Sequence, residues 1–351
     1  MISLAGTLAA PFPYFGGKSF ACTEVWRAFG GVDNYVEPFA GSAAMLLGAP
    51  EGKRTETIND ADGFVANFWR AVAADPEGVA HWADWPCNEI DLQSRHGWLV
   101  NRAERLKWSL EDPDFYDAKI AGWWCWGSCN WIGSEWCASK GPWKFNGVNL
   151  YKDAPTEGMK RILPHLGDAG KGINRKLPHL GNAGQGINRK LPHLGDAGQG
   201  IQPRSAFIRE WMHKLADRLR DVRVACGDWT RVVTDSVTVR HGITGLFLDP
   251  PYTNGAMDYA AGGVGGDLAS DVCRWCAENG GNPLLRIVLC GHAGEHDALL
   301  DMGWGIRKWT ARKGYAISDK AVENSASETL WCSPACVGYG TEQISLFEVA
   351  E

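Results

Sequence analysis

A carboxylate, two prolines and an aromatic ring follow one short apolar run of the sequence. Residues 245–248 are a glycine and three large apolar residues, and Asp249, Pro250, Pro251 and Tyr252 come directly after them. Short apolar runs bounded by turn residues predict buried strands, and two prolines cannot continue sheet pairing. The four groups therefore share one tight turn beyond a strand end, which is where open α/β sheets bind ligands.

These groups suit the activation of an amino group on a nucleobase. Such an amine is a poor nucleophile, because its lone pair is delocalised into the ring. The Asp249 carboxylate and the Pro250 carbonyl are pure acceptors, so together they can take both N–H bonds and favour a nitrogen whose lone pair is free for attack. Tyr252 can stack on the base, and the prolines fix the backbone beforehand. An ordinary Asp–Pro turn is the alternative interpretation.

Three segments near the start of the chain place glycines and acids at predicted turns. In residues 14–18, two glycines let the backbone approach a ligand closely and Lys18 offers a cation; a surface turn is the alternative. Residues 35–45 predict a strand, a glycine turn and the start of a helix. Residues 57–62 predict a second strand ending in acids, and an acid there commonly binds ribose hydroxyls; a solvated loop acid is the alternative. A G-x-G-x-x-G pattern and a P-loop are both lacking, so dinucleotide or triphosphate binding is poorly supported.

In order and spacing, these segments resemble the Dam-like DNA-adenine methyltransferases. The resemblance rests on residues 14–18, 36–43, 58–62 and 248–252, with further likeness at 224–229 and 307–334. It implies a Rossmann-like α/β fold that uses S-adenosylmethionine (SAM) as methyl donor to adenine N6 of a flipped base in DNA. The catalytic residues that it implies are Asp249, Pro250, Pro251 and Tyr252. The SAM-binding residues that it implies are Tyr14, Gly17, Lys18, Glu37, Phe39, Gly41, Asp60, Asp228 and Trp229.

The sequence departs from the family at Ala43, where many relatives carry a second glycine. A larger residue there narrows the SAM pocket, but we expect alanine to be small enough. Methylation of cytosine N4 uses the same amine chemistry, and Asp before Pro-Pro-Tyr only slightly favours adenine. Methylation of RNA and non-catalytic binding of SAM or DNA are further alternatives.

The resemblance divides the chain into three parts. Residues 11–74 are expected to form the SAM-binding part of the catalytic domain, and residues 206–340 its catalytic part. Residues 75–205 fit no strand pattern of this fold, so we expect an inserted, mainly helical or irregular target-recognition lobe. The tryptophans of this lobe, with Lys140 and Lys144, could contact DNA bases. Core packing of most of these tryptophans is the alternative.

A 14-residue segment recurs in tandem over residues 163–202. Its density of Gly and Pro opposes a continuous helix, and near-identical copies indicate recent duplication in a tolerant surface loop; a short stacked array is the alternative. Residues 160–223 carry thirteen Lys and Arg against five Asp and Glu, a net charge of +8. This region suits contact with phosphates, and a solvated basic loop is the alternative.

Composition narrows the class of protein. The net charge of -6 over 351 residues argues against a uniformly basic surface but permits a local DNA-binding face. The sequence has no long apolar segment, and we expect no signal peptide. Eleven cysteines without secretory context predict reduced thiols in a cytosol, and the family resemblance implies the cytoplasm of a bacterium or of a phage-infected host. We expect double-stranded DNA as partner, no membrane and no metal. A cognate restriction endonuclease is possible but not required.

Overall fold

A computed structural model describes residues 8–14, 18, 21–131, 136–137, 143–145, 150–152, 201–251, 265–308 and 328–338. The α-helices are α1 (Cys22–Phe29), α2 (Ala44–Leu47), α3 (Gly63–Ala74), α4 (Pro76–Ala83), α5 (Glu89–Val100), α6 (Ala103–Ser109), α7 (Ala118–Asn130), α8 (Ile201–Leu219) and α9 (Gly265–Asn279). The strands are β1 (Asn34–Glu37), β2 (Thr55–Asp60), β3 (Trp143–Phe145), β4 (Leu150–Lys152), β5 (Val222–Cys226), β6 (Thr244–Leu248), β7 (Leu285–His292), β8 (Gly305–Lys308) and β9 (Glu328–Cys332). Short 3-10 helices span Trp229–Val232, Val239–His241 and Asp297–Met302.

Seven strands form one sheet in the order β5-β2-β1-β6-β7-β9-β8. The first five are mutually parallel, while β9 pairs antiparallel with both β7 and β8. The carboxyl ends of β5, β2, β1 and β6 therefore meet at one edge. This mixed α/β sheet confirms the predicted class and is compatible with the Rossmann-like fold that the resemblance implies.

Side chains of the two central strands point alternately to two hydrophobic clusters. Tyr35 and Phe247 pack with α1 and α3 on one face of the sheet. Val36, Leu246 and Leu248 pack with α9 and the segment Trp229–Val232 on the other. Because β6 is buried along its whole length, its apolar run is explained by cover on both faces.

Helices α4 and α7 pack against α3 and α8. Each of α3, α4 and α7 begins at an aspartate whose carboxylate accepts a hydrogen bond from an amide of the first turn. Trp124 and Trp126 of α7 are buried in the same hydrophobic cluster as Phe68 of α3. These tryptophans therefore pack in a core, as the alternative interpretation of this region held. The recognition lobe as a separate unit stays a prediction.

Some boundaries differ from those that the sequence predicts. The apolar spacing of residues 206–222 predicts a helix, but α8 ends at Leu219 and Val222 begins β5. The many Gly and Ala of residues 253–269 predict a loop, but α9 begins at Gly265, because Ala269, Val272 and Cys276 recur at helical spacing and are buried.

Residues 303–313 and 328–332 predict the strands of a terminal hairpin, which is confirmed where β8 pairs with β9. Residues 163–200 of the repeats and 253–264 of the predicted loop lie outside the described residues.

Two further facts concern the class of protein. No helix in the described ranges combines the length and the apolar character needed to cross a membrane. All eleven cysteines fall within those ranges, and they are free thiols.

Candidate active site

Lys18 and Asp249 form an ion pair at the carboxyl end of β6. The Lys18 Nζ atom lies 3.4 Å from Asp249 Oδ1, and the side chain of Lys18 is only 4% exposed while that of Asp249 is 20% exposed. Pro250 is buried and Pro251 is partly exposed. The structure thus places Lys18 beside the turn predicted to be catalytic. Tyr252 and Gly17, which were predicted alongside them, lie outside the described residues.

Glu37 is the last residue of β1, and its side chain is buried. Its Oε2 atom accepts hydrogen bonds from the Tyr35 hydroxyl at 2.9 Å and from the Leu46 amide at 3.2 Å. Burial raises the pKa of Glu37 to about 8, and the nearby charges of Asp249 and Asp60 add to the rise. Burial therefore favours the protonated form of this carboxyl.

The turn after β1 needs glycine at position 41. Gly41 has a φ of +47°, and a Cβ atom built there would lie 2.3 Å from the ring of Tyr14. The Gly41 amide donates to Asp60 Oδ2 at 2.8 Å, and its carbonyl accepts from Trp69 Nε1 at 3.0 Å. Of the predicted residues, Gly41 therefore contacts both Tyr14 and Asp60.

Ala43 adopts the left-handed conformation, with φ 50° and ψ 34°, and it is fully buried. For a residue with a Cβ atom this conformation costs about 1–2 kcal/mol. The family's preference for glycine at this position thus has a backbone explanation. The cost of the alanine here is conformational strain, whereas the sequence suggested a narrower pocket.

Asp60 ends β2 and holds the neighbouring turns with both carboxylate oxygens. Besides the bond to Gly41, its Oδ1 atom accepts from the Asp62 amide at 2.8 Å. Burial raises the pKa of Asp60 to about 7, and the Asp62 carboxylate adds to the rise. Asp62 itself accepts from the Phe64 amide and begins α3. The acid of the second strand is therefore fixed in place and poised to ionise.

Asn59 is a site residue that sequence reasoning missed. Its Nδ2 atom donates to the carbonyls of Pro38 and Gly227, each at 3.0 Å, so it ties the turn after β1 to the turn after β5. Its Oδ1 atom is buried and has no hydrogen-bond partner among the described residues. Because β2 reads Thr-Glu-Thr-Ile-Asn-Asp and is polar at most positions, its sequence carried no signal that distinguished Asn59.

Asp228 and Trp229 follow β5 at the same edge. Asp228 is exposed, and its Oδ1 atom accepts from the Thr230 amide at 2.9 Å and so caps the 3-10 helix. Trp229 is buried, with its ring centroid 6.1 Å from that of Phe39. The structure therefore brings Phe39 and Trp229 together, while the Asp228 side chain is exposed to solvent.

The edge is rich in acceptors. Asp249 and Asp60 both act electrostatically on Glu37, and Lys18 is paired with Asp249. In the ranges that the structure describes, no three His, Cys, Asp or Glu side chains are arranged to hold a metal ion. Such a site suits an organic ligand that carries positive charge and hydrogen-bond donors.

Residues 14–121 match the model of one protein family, the D12 class N6 adenine-specific DNA methyltransferases. The matched range contains Tyr14, Lys18, Glu37, Gly41 and Asp60, and it extends through α3 into α7. It confirms the resemblance to the Dam-like enzymes over these residues. No curated protein matches the chain significantly.

Proposed function

We propose that this chain transfers a methyl group from SAM to adenine N6 in DNA. The observation that carries the proposal is the position of Asp249 and Pro250, which leave β6 beside Lys18 and next to the Glu37–Gly41 turn. This turn falls within the residues that match the N6 adenine-specific family. The acceptors for an amine and the acceptors for a cationic ligand therefore share one edge of the sheet.

The residues present fit SAM. Glu37 and Asp60 are acidic groups with raised pKa values, and the unpartnered Oδ1 atom of Asn59 is a further acceptor close by. A ligand with a positively charged sulfur, an amino group and ribose hydroxyls complements such a set. We propose that SAM is held by Tyr14, Gly17, Lys18, Glu37, Phe39, Gly41, Asp60, Asp228 and Trp229. When bound, it supplies an electrophilic methyl group.

The protein's own contribution is to prepare the adenine amine. In our proposal, the Asp249 carboxylate and the Pro250 carbonyl accept its two N–H bonds, which frees the nitrogen lone pair. Lys18, at 3.4 Å, fixes the orientation of Asp249 before the base arrives. Pro250 and Pro251 restrict the backbone that carries the second acceptor.

The target base must leave the duplex to reach this turn. Extrusion costs a few kcal/mol of stacking and pairing. We propose that stacking on Tyr252 and the hydrogen bonds to Asp249 and Pro250 offset this cost. The same contacts then select a base with an exocyclic amine.

Methyl transfer from labelled SAM to unmethylated duplex DNA, followed by analysis of the product nucleosides, tests the proposal. We expect N6-methyladenine as the labelled product. N4-methylcytosine would keep the chemistry and overturn the base. Label in RNA alone, or SAM binding without any transfer, would overturn the proposed function.

A further inference from the structure

Helices α5 and α7 face each other across alternating cations and indole rings. The cations are Arg95, Arg102 and Lys119, and the rings are Trp82, Trp85, Trp98, Trp123 and Trp126. We call this set the tryptophan–cation ladder. None of these residues was predicted to belong to the SAM site or to the catalytic turn.

The ladder begins with Arg102 and Lys119, which are both partly exposed. The Arg102 Cζ atom lies 3.6 Å from the ring centroid of Trp98. The Lys119 Nζ atom lies 5.1 Å from Trp98 and 4.5 Å from Trp123. The rings of Trp98 and Trp123 are themselves in edge contact, with centroids 5.0 Å apart.

Arg95 lies at the buried end of the ladder. Its Cζ atom lies 4.8 Å from Trp123, 4.3 Å from Trp126 and 5.1 Å from Trp85. The residue is 7% exposed, and its Nη1 atom and the Trp123 Nε1 atom are both buried without a hydrogen-bond partner among the described residues. Two unsatisfied donors therefore lie next to each other in the same cluster.

Within the part of the chain that the structure describes, the cations of the ladder, Arg95, Arg102 and Lys119, form no salt bridge with a carboxylate. Asp91, one turn from Arg95 on α5, accepts hydrogen bonds from Trp85 and Asn88, and its carboxylate acts electrostatically on Arg95 from beyond salt-bridge distance. Indole faces attract a cation but leave its charge in place, so the charges of Arg102 and Lys119 can attract an anion.

The ladder is fixed to the helix that starts at the candidate active site. The Asn67 side chain of α3 donates to the Asp117 carbonyl at 3.0 Å and accepts from the Asp117 amide at 2.8 Å. Asp117 caps α7 two residues before Lys119. Since α3 begins directly after the Asp60 turn, a ligand on the ladder lies at a set distance from that turn.

We propose that the ladder binds the phosphate backbone of duplex DNA, with Lys119 and Arg102 as the phosphate contacts and Arg95 as the residue that holds the rings in place. The indole rings of Trp98 and Trp123 already carry cations, so we assign phosphates rather than bases as the ligand of the ladder. Arg102 and Lys119 are partly exposed cations without a salt bridge among the described residues, and such cations complement a polyanion. This inference rests on the proposed function, which makes DNA the substrate.

Salt-dependent binding of a fluorescently labelled duplex to the full chain tests the inference. The variants are Lys119→Met and Arg102→Met, which remove the charge and keep an apolar stem against the rings. We expect each to reduce the slope of log K against log salt by about 0.9, and to weaken binding equally for different DNA sequences. SAM affinity, measured by calorimetry, should be unchanged and reports that each variant is folded.

Two kinds of control variant test whether a change of slope results from the charge of the ladder. Arg274→Met removes an exposed cation of α9 that is paired with Asp271, and should leave the slope as it is. Lys119→Arg and Arg102→Lys keep the charge and should retain the wild-type slope. If a methionine variant loses SAM binding, Lys119→Gln and Arg102→Gln replace it.

The outcomes separate the ladder from the proposed function. If the wild-type protein methylates adenine and the ladder variants keep the wild-type salt slope, the proposed phosphate contact is wrong and the proposed function still holds. Wild-type protein that neither binds nor methylates duplex DNA overturns both. A slope change seen with RNA and not with duplex DNA overturns the choice of DNA as the ligand.

Discussion

The Lys18 Nζ atom lies 3.4 Å from Asp249 Oδ1, and the lysine side chain is almost fully buried. A buried lysine is stable only when it is paired, and here the pairing orients the carboxylate that we propose to receive the adenine amine. The pair also joins Lys18, near the amino terminus, to the strand that ends in the turn proposed to be catalytic.

Lys18→Met should lower kcat/KM for methyl transfer by roughly 10²-fold, because a catalytic group that loses its fixed orientation costs about that much. Lys18→Arg keeps the charge and should retain a larger part of the rate. Steady-state kinetics with labelled SAM and duplex DNA measures both. Equal rates for Lys18→Met and wild type would show that the ion pair does not position Asp249.

SAM affinity should rise with pH between about pH 6 and 9. Glu37 and Asp60 have pKa values of about 8 and about 7, and a cationic ligand favours their ionised forms, so binding releases protons. Calorimetry in two buffers of different ionisation enthalpy measures this release. Glu37→Gln should remove the upper part of the pH dependence, and proton release of unchanged size in that variant contradicts the assignment.

The stability of the ligand-free protein should change with pH in the opposite direction. Both carboxyls have folded-state pKa values above the usual values of 4.5 and 3.8. At pH values between the usual and the folded-state pKa, the native state therefore binds more protons than the unfolded state. Their contribution to the free energy of unfolding is therefore fully present below about pH 4 and is lost as the pH rises through about 7 to 8. Urea denaturation of wild type and Glu37→Gln at pH 5 and pH 8.5 measures the difference. A wild-type protein with the same pH dependence as the variant would exclude this role of Glu37.

Ala43→Gly should raise the free energy of unfolding by about 0.5–1 kcal/mol, because it relieves about 1–2 kcal/mol of left-handed strain at a φ of 50° and adds about 0.5–1 kcal/mol of backbone-entropy cost. Ala44→Gly is the matched control. That residue begins α2 in the right-handed conformation, so glycine there should lower the stability by about 0.5–1 kcal/mol. Chemical denaturation compares the two, and a destabilised Ala43→Gly would show that the conformation carries no such strain.

Gly41→Ala should weaken SAM binding, because the new Cβ atom would lie 2.3 Å from the Tyr14 ring and force it to move. Gly31→Ala is the control, since a Cβ atom there meets no atom within 4 Å. We expect at least a tenfold loss of SAM affinity for the first variant, about 1.4 kcal/mol, and none for the second. Calorimetric titration decides, and an unchanged affinity for Gly41→Ala would remove this turn from the proposed SAM site.

Some of this arrangement could be predicted from sequence and some could not. The strand before Asp249 and the glycine turn at Gly41 are local patterns, so the apolar run and the turn residues were sufficient. The bridge made by Asn59 depends on the pairing of β2 with β1 and β5, which no local pattern encodes. The contact between Lys18 and Asp249, and the order of cations and rings in the ladder, likewise result from tertiary packing. At the candidate active site, the motifs that carry the family resemblance pointed to residues that local patterns alone do not bring together. The residues of the ladder belong to no such motif.

The role of Asp249 is tested most directly by the Asp249→Ala variant. Its rate of N6-methyladenine formation on duplex DNA is measured under single-turnover conditions, with SAM affinity determined in the same buffer. We predict a fall of roughly 10²–10³-fold in the rate, the usual loss when one group that stabilises the reacting centre is removed, with SAM affinity largely retained. Methylation of adenine by Asp249→Ala at the wild-type rate would contradict the assignment of this turn as the catalytic site.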